Sequence, residues 1–376
     1  MKTFNRIEIS AEALRHNYGV CRQLAGRAEV LAMVKADAYG HGMIDCARTL
    51  EAAGVAAFGV ADVIEGIALR EAGVAVPVYV LAGILPETAQ AVLRYDLTPV
   101  IVDGTSLEAL DHAAARYGKP MDVHLKLDAG MGRQGVAPEV LAGFVEQVAA
   151  KQYLQLAGIL AHFPMADALD TGHSEQVLAV FNQCIDEIRD QLPESCRFHI
   201  ANSGGLFRLA GSRLDMVRPG ISLYGYYADG EAGRSRESGE NALQPVMRFT
   251  SRVLQVREVK AGVGLGYNHL FTTDKFSRIA LIPVGYEDGY LRCLSNRAEV
   301  LIHGRRAPVV GRISMSLTMI DVTGIGPVQA GDEVVLLGRS GREEINADEI
   351  ARWMQTISYE VLCLFGKMNE RYYIKV

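Results

Sequence analysis

In "VLAMVKADAYGHG" (30–42) an apolar run ends on an amine: Val30, Leu31, Met33 and Val34 lead into Lys35, and small residues and Tyr39 follow. Taken alone, a strand-end lysine packs its stem and sends its amine to water. An amine held out of water instead gives up its proton more readily and becomes a nucleophile for carbonyl groups. Other stretches carry residues of comparable potential. "ANSGG" (201–205) sets Ser203 where a helix begins, and "RPGISLYG" (218–225) follows Arg218 with a glycine turn. "MDVHLKLD" (121–128) hides Lys126 in an apolar alternation, where a cation needs a charge partner or a modification.

These residues need elements to position them. From about residue 10 to 228, short apolar runs alternate with helical patterns: Leu14, Tyr18, Cys21 and Leu24 recur at helical spacing after Ser10, a natural N-cap. Eight runs read as strands: "EVLAMVK", "AAFGVA", "VPVYVLAG", "LTPVIV", "MDVHLKLD", "LAGILAHF", "CRFHIAN" and "LDMVRPG". An open doubly wound sheet uses the same alternation, but the count favours a closed α/β barrel, (β/α)8. Lys35, Asp37, Asp128, His162, Asn202, Ser203, Arg218 and Gly220 all fall at the ends of these strands, the face on which barrels place chemistry. Phosphate sites often follow barrel strands seven and eight, where Ser203 and Gly220 lie. A Schiff-base lysine beside a phosphate cradle points to pyridoxal phosphate. Residues 229–240 read as a polar linker. From 241 to 376 the pattern is mainly β, broken by one helix capped at Asn346, and residues 1–9 read as a strand joining that domain.

Composition narrows the class. The chain has 376 residues, 49% hydrophobic and 22% charged, which suits two soluble domains. A formal net charge of −6 argues against a nucleic-acid partner. No apolar stretch is long enough to span a membrane, and the start lacks a signal core, so a cytoplasmic enzyme is expected. The six cysteines form no CxxC pair and are expected to be reduced and buried, with no metal site.

Nine segments then carry a resemblance over essentially the whole chain: "VKADAYGHG", "KLDAGMGRQG", "HFPMAD", "ANSGG", "RPGISLYG", "GLGYNHLF", "VGYEDGY", "GRISM" and "SYE". Together they resemble the alanine racemases, homodimeric pyridoxal-phosphate enzymes that join a barrel to a C-terminal β domain and supply D-alanine for peptidoglycan. The resemblance implies that Lys35 holds the cofactor and serves as one base. Tyr39, Ser203, Gly220, Ile221 and Tyr359 would bind the phosphate, with Asn202 among the cofactor-binding residues. Arg218 would face the pyridine nitrogen, and His162 would stack near the ring in a polar chain with Arg218, Tyr267 and His199. Tyr267 would be the second base, acting in the partner's site. Arg133 and the backbone at Met315 would hold the carboxylate of a small amino-acid substrate, with a carbamylated Lys126 positioning Arg133. Asp167, Tyr286, Arg292, Arg312 and Ile357 would line the entry route. The logic is chemical: racemisation removes a proton from one face and returns one to the other, so two groups on different elements are needed. A tyrosine, with an ordinary pKa near 10, needs nearby positive charge for that work.

The chain departs from the family pattern at Ser314-Met315-Ser316, where Cys-Met-Asp is usual, and at Ser358, where proline is usual. Loss of the aspartate leaves open a racemase of broader or different specificity, serine included. A fold-related decarboxylase lacks support because its C-terminal Cys-x-x-Asp pair is missing from "GRISMSLTMID", and a non-enzymatic pyridoxal-phosphate-binding barrel would lack the β domain and its tyrosine.

Overall fold

A computed structural model describes residues 4–236 and 239–374. The chain divides into two compact units. One comprises Leu14–Ala38 and Met43–Gln244; the other takes the residues up to Ala13, the short Tyr39–Gly42 segment and the chain from Pro245 onward. The expected linker carries a short helix, Glu231–Arg236, and its residues 237 and 238 lie outside the described residues.

Strand β1 (Arg6–Ser10) belongs to the β-rich unit. Helix α1 (Ala11–Ala25) follows it, with the Ser10 hydroxyl accepting from the Ala13 N–H at 3.1 Å, a capping bond that satisfies a first-turn donor. Leu14, Tyr18, Cys21 and Ala25 are its buried face, and Gly26, at φ +64°, ends it. Eight parallel strands then form one sheet: β2 (Glu29–Met33), β3 (Ala57–Val60), β4 (Val78–Val80), β5 (Thr98–Ile101), β6 (Met121–Lys126), β7 (Leu154–Leu160), β8 (Arg197–His199) and β9 (Met216–Val217). They run in sequence order from β8 back to β2, and β9 pairs on the far side of β2. Backbone bonds from Asp215 to Phe198 (3.1 Å) and from Arg218 to Ala201 (2.8 Å) tie the segments around β8 and β9, so the sheet is a nearly closed (β/α)8 barrel. The near-continuous burial of β2 to β5 is what a sheet covered on both faces requires.

The β-rich unit holds a larger sheet. Its neighbours run Gln255–Val259, Ser277–Ile282, Thr318–Asp321, Arg305–Val310, Glu299–Ile302, Glu333–Ser340, Met247–Arg252, β1 and Arg371–Ile374. β1 is antiparallel to Met247–Arg252 and parallel to Arg371–Ile374. Where one helix was expected there are two. Asn346 caps Ala347–Met354, accepting from the Glu349 N–H at 2.9 Å; Gln355 then turns left-handed (φ +60°), and Ser358–Met368 begins after Ile357. Burial of the cysteines is also incomplete: Cys21, Cys46, Cys184 and Cys196 are buried, whereas Cys293 is exposed and Cys363 half-buried. Among the described residues no helix is long and apolar enough to cross a membrane.

Candidate active site

Strand β2 stops at Met33, so Lys35 is not its last residue but stands on a turn two residues beyond. Ala36, Asp37, Ala38 and Tyr39 all have φ between +52° and +55°, a left-handed turn that costs non-glycine residues energy and must be held from outside. Two carboxylates hold it within the barrel unit. Glu65 Oε1 accepts from the Ala36 N–H at 2.6 Å while Oε2 accepts from the Ala61 N–H at 2.8 Å, and Asp37 Oδ1 accepts from the Met43 N–H at 2.7 Å. The Met33 N–H donates to Pro219 O at 3.0 Å, setting the lysine's strand directly beside the loop that follows β9. Lys35 is exposed at this end of the barrel.

That neighbouring loop builds an anion cradle. Ser203 Oγ accepts from the Gly220 N–H (2.9 Å) and the Ser222 N–H (3.3 Å), and lies 3.0 Å from Ser222 Oγ. Ser203, Gly220, Ile221 and Ser222 are all buried. Asn202 caps the helix that begins at Ser203, its Oδ1 accepting from the Gly205 N–H at 3.0 Å, and the serine hydroxyl goes to the cradle. The two glycines of "ANSGG" are there for close packing. A Cβ on Gly204 would stand 2.4 Å from Ala166 O, and one on Gly205 2.9 Å from the Phe163 ring.

Arg218, two residues before Gly220, is buried and fixed by its terminal nitrogens. Nη1 donates to His199 Nδ1 (3.0 Å) and His199 O (3.0 Å); Nη2 donates to Ala161 O (2.6 Å), Ile200 O (3.2 Å) and His162 Nδ1 (3.4 Å). Nε takes part in none of these bonds and is the donor left to meet a ring nitrogen. Burial brings Arg218 down to about 10, which leaves it a cation at neutral pH. Burial, and then the Arg218 charge, hold His162 and His199 well below the ordinary imidazole value, so both are neutral. The expected polar chain thus contains Arg218, His162 and His199.

Lys126 ends β6 with 6% of its surface exposed. Its Nζ donates to Gln134 Oε1 at 3.0 Å, so the neighbour it bonds is Gln134 and not the adjacent Arg133, which is exposed. Burial first, then the charges of Arg218, Arg133 and Lys35, lower Lys126 to about 8. The loop that carries Arg133 folds back through Asp128 Oδ1, which accepts from the N–H groups of Gly130 (3.1 Å) and Gly132 (3.0 Å).

Most of the remaining expected residues belong to the β-rich unit. Tyr39 and Tyr359 meet in the β-rich unit with ring centroids 5.9 Å apart. Tyr267 starts a turn after Gly266 (φ +67°) and is 67% exposed. The N–H groups of Tyr286 and Glu287 donate to Ser314 O and Met315 O, both at 3.1 Å, which fixes the Tyr286 turn to the Met315 loop. Met315, Ile357 and Arg292 are exposed and Arg312 is half-buried in that unit, while Asp167 is exposed on the barrel. Sequence reading missed Glu65, His124, Gln134 and Ser222. Gln134 and Ser222 stood inside quoted motifs, and His124 shares a strand face with Lys126 by the two-residue period. For Glu65 no local signal existed.

The donor set suits pyridoxal phosphate: buried hydroxyl and N–H groups for a phosphate, and a fixed cation with one free donor for a pyridine nitrogen. Family models described as "Alanine racemase, N-terminal domain" and "Alanine racemase, C-terminal domain" match residues 9–228 and 246–373. The alanine racemase of Halothermothrix orenii is 39% identical, over 97% of this chain and 96% of that protein. Among solved structures, the alanine racemase of a D-cycloserine-producing Streptomyces lavendulae superposes with a TM-score of 0.92 at 30% identity, covering 100% of this chain and 98% of that one. That of Bartonella henselae, with covalently bound pyridoxal phosphate, gives 0.89 at 29%, covering 100% of both. With two family models spanning the barrel and the β-rich unit, and relatives matched nearly end to end, this chain belongs to the alanine racemase family.

Proposed function

We propose that the chain interconverts L- and D-alanine with pyridoxal phosphate, using Lys35 and Tyr267 as the two bases. We assign residues 10–228 to the cofactor-binding barrel and 241–376, with 1–9, to the β domain, joined by 229–240. The observation that carries the reading is the bond from the Met33 N–H to Pro219 O, which sets the Lys35 turn beside the Ser203–Gly220–Ser222 cradle and Arg218. The relatives, named as alanine racemases, favour alanine over the broader specificity that Ser314 and Ser316 suggest.

When bound, pyridoxal phosphate supplies an electron sink for a carbanion at the substrate's α-carbon. Ser203, Gly220, Ile221 and Tyr39 with Tyr359 would hold its phosphate, and Arg218 Nε its ring nitrogen. Arg218 keeps its proton and can only donate, so it would leave that nitrogen unprotonated, a weaker sink that would disfavour side reactions. Arg133 and the Met315 backbone would orient the substrate carboxylate. Lys35 Nζ and Tyr267 Oη would exchange protons at opposite faces, with Tyr267 supplied by the partner subunit of a homodimer. Neutral His162 and His199 serve as acceptors that orient Arg218. On this reading the enzyme would supply D-alanine for peptidoglycan from the cytoplasm.

The test is a chiral assay of purified, cofactor-loaded enzyme. It should be yellow and racemise L-alanine, and Lys35→Ala should lower kcat by about a thousandfold or more, the scale of a lost acid–base group. Absence of racemisation by the wild-type chain, or full activity of Lys35→Ala, would overturn the reading.

A further inference from the structure

We propose that His124 is a positioning residue for this site: by accepting from His199 Nε2 it reinforces the His199 tautomer that Arg218 requires and thereby helps hold Arg218 as a donor toward the cofactor's ring. The proposal deepens the racemase reading and rests on it.

The direction of the relay is set at one end. Arginine has donors only, so the Nη1–H that meets His199 Nδ1 at 3.0 Å requires a lone pair on that nitrogen. The His199 proton must then sit on Nε2, which lies 2.9 Å from His124 Nδ1. His124 Nδ1 must accept in turn, so its own proton sits on Nε2. The three groups form one directed chain, Arg218 to His199 to His124. A second proton on either imidazole would set two N–H groups against each other. Burial leads the causes that keep both rings neutral, bringing His124 to about 3.

The barrel makes room for this ring at visible expense to its regularity. A Cβ on Gly158 would stand 2.3 Å from His124 Cε1, 2.4 Å from Nδ1 and 2.7 Å from Arg197 O, so glycine is needed here for both the imidazole and the neighbouring backbone. The pairing of β6 with β7 slips at the same place: Val123 opposes Leu156 but His124 opposes Gly158, leaving Ala157 as the extra residue of a bulge. Tyr79 closes the ring from its edge, centroids 5.0 Å apart at 90°. On its other side His124 borders a cavity of about 870 Å³, lined by Glu29, Pro77, Thr98, Asp122 and Arg197 at the N-terminal ends of the strands. What the imidazole adds is an acceptor at one point. Were His199 free to turn its N–H toward Arg218, the guanidinium would be pushed off Ala161 O and Ile200 O, and its Nε would lose its aim.

The experiment uses holoenzyme labelled with ¹⁵N at histidine. His199 should show an unprotonated Nδ1 and a protonated Nε2. A His199 protonated at Nδ1, or at both nitrogens, would overturn the proposal, and this holds whether or not any variant folds. His124→Leu should lose the single His199 tautomer, lower kcat about tenfold with little change in KM, and raise the pyruvate formed per alanine racemised. His124→Asn keeps an acceptor at the δ position and should restore most of the rate and the single tautomer. Equal impairment in both variants would show a packing role only. A wild-type chain that racemises no alanine would overturn the functional reading instead, and the tautomer spectrum would still decide the relay.

Discussion

At the scale of single residues, Lys126 is the group whose chemistry burial changes most usefully. An amine at the ordinary lysine value is neutral in only about 0.03% of molecules at pH 7, whereas one at about 8 is neutral in roughly a tenth. Only the neutral amine reacts with carbon dioxide: its lone pair forms the N–C bond, one proton leaves, and a carbamate anion results. That anion would sit beside the Arg133 loop and could take a bidentate pair of guanidinium bonds, provided Gln134 turns its N–H rather than its oxygen toward it. We therefore predict that incubation with ¹³C-bicarbonate at pH 8 gives a carbamate resonance that is absent in Lys126→Ala. If a carbamylated Lys126 positions Arg133 for the substrate, as we propose, Lys126→Ala should raise the KM for alanine about tenfold, the scale of one charge-assisted hydrogen bond, and leave kcat nearly unchanged. A variant with unchanged KM would remove Lys126 from carboxylate binding.

At the scale of elements, the left-handed turn after β2 decides where Lys35 stands, and Glu65 is its strut. Glu65 lies in the first turn of helix Val63–Glu71, where a carboxylate is favoured by the helix N-terminus, and the Asp62 cap accepts from its N–H at 3.0 Å. Glu65→Ala leaves the N–H groups of Ala36 and Ala61 without their acceptor. The expected result is a tenfold or larger fall in kcat, about 1.4 kcal/mol of lost positioning, with KM altered less; Glu65→Gln, which keeps one acceptor oxygen, should fall between. An unchanged kcat in Glu65→Ala would mean that the turn holds itself. The eight strands and their C-terminal residues were legible because hydrophobic period and strand-end polarity are local signals. The cradle was legible because its parts sit in short motifs. Glu65 was not, since a carboxylate in the first turn of a helix reads as ordinary helix chemistry until the fold brings Ala36 to it. Nor was the second C-terminal helix, because the left-handed Gln355 splits what looked like one amphipathic stretch. The Gln134 partner of Lys126 was hidden for a third reason: loop 128–136 folds back on itself, and no periodicity announces that.

At the scale of the whole molecule, two-base racemisation asks for a proton donor on each face of the substrate carbon, and Lys35 is fixed on the barrel. Tyr267 belongs to the other unit and is 67% exposed on a turn shaped by Gly266 and by Asn268 at φ +57°. A large, exposed tyrosine on a constrained turn suits service to a second copy, where its ring would be covered and its hydroxyl set against charge. Complementation distinguishes this arrangement from sites complete within one chain. Take Lys35→Ala and Tyr267→Phe, each nearly inactive, and co-express them in equal amounts. In a mixed dimer with shared sites, one site inherits both defects. The other receives Lys35 from the Tyr267→Phe chain and Tyr267 from the Lys35→Ala chain, and is therefore wild type. Random pairing makes about half the dimers mixed, with one of two sites intact, so about a quarter of wild-type kcat should return. With sites confined to single chains every site keeps one defect, and the mixture would show no more activity than the two parents averaged. Hydrogen-isotope effects supply the second check. Tyr267→Phe removes the donor at one face only, so the two directions of racemisation should show unequal effects in that variant, and equal effects would exclude Tyr267 as the base for either face.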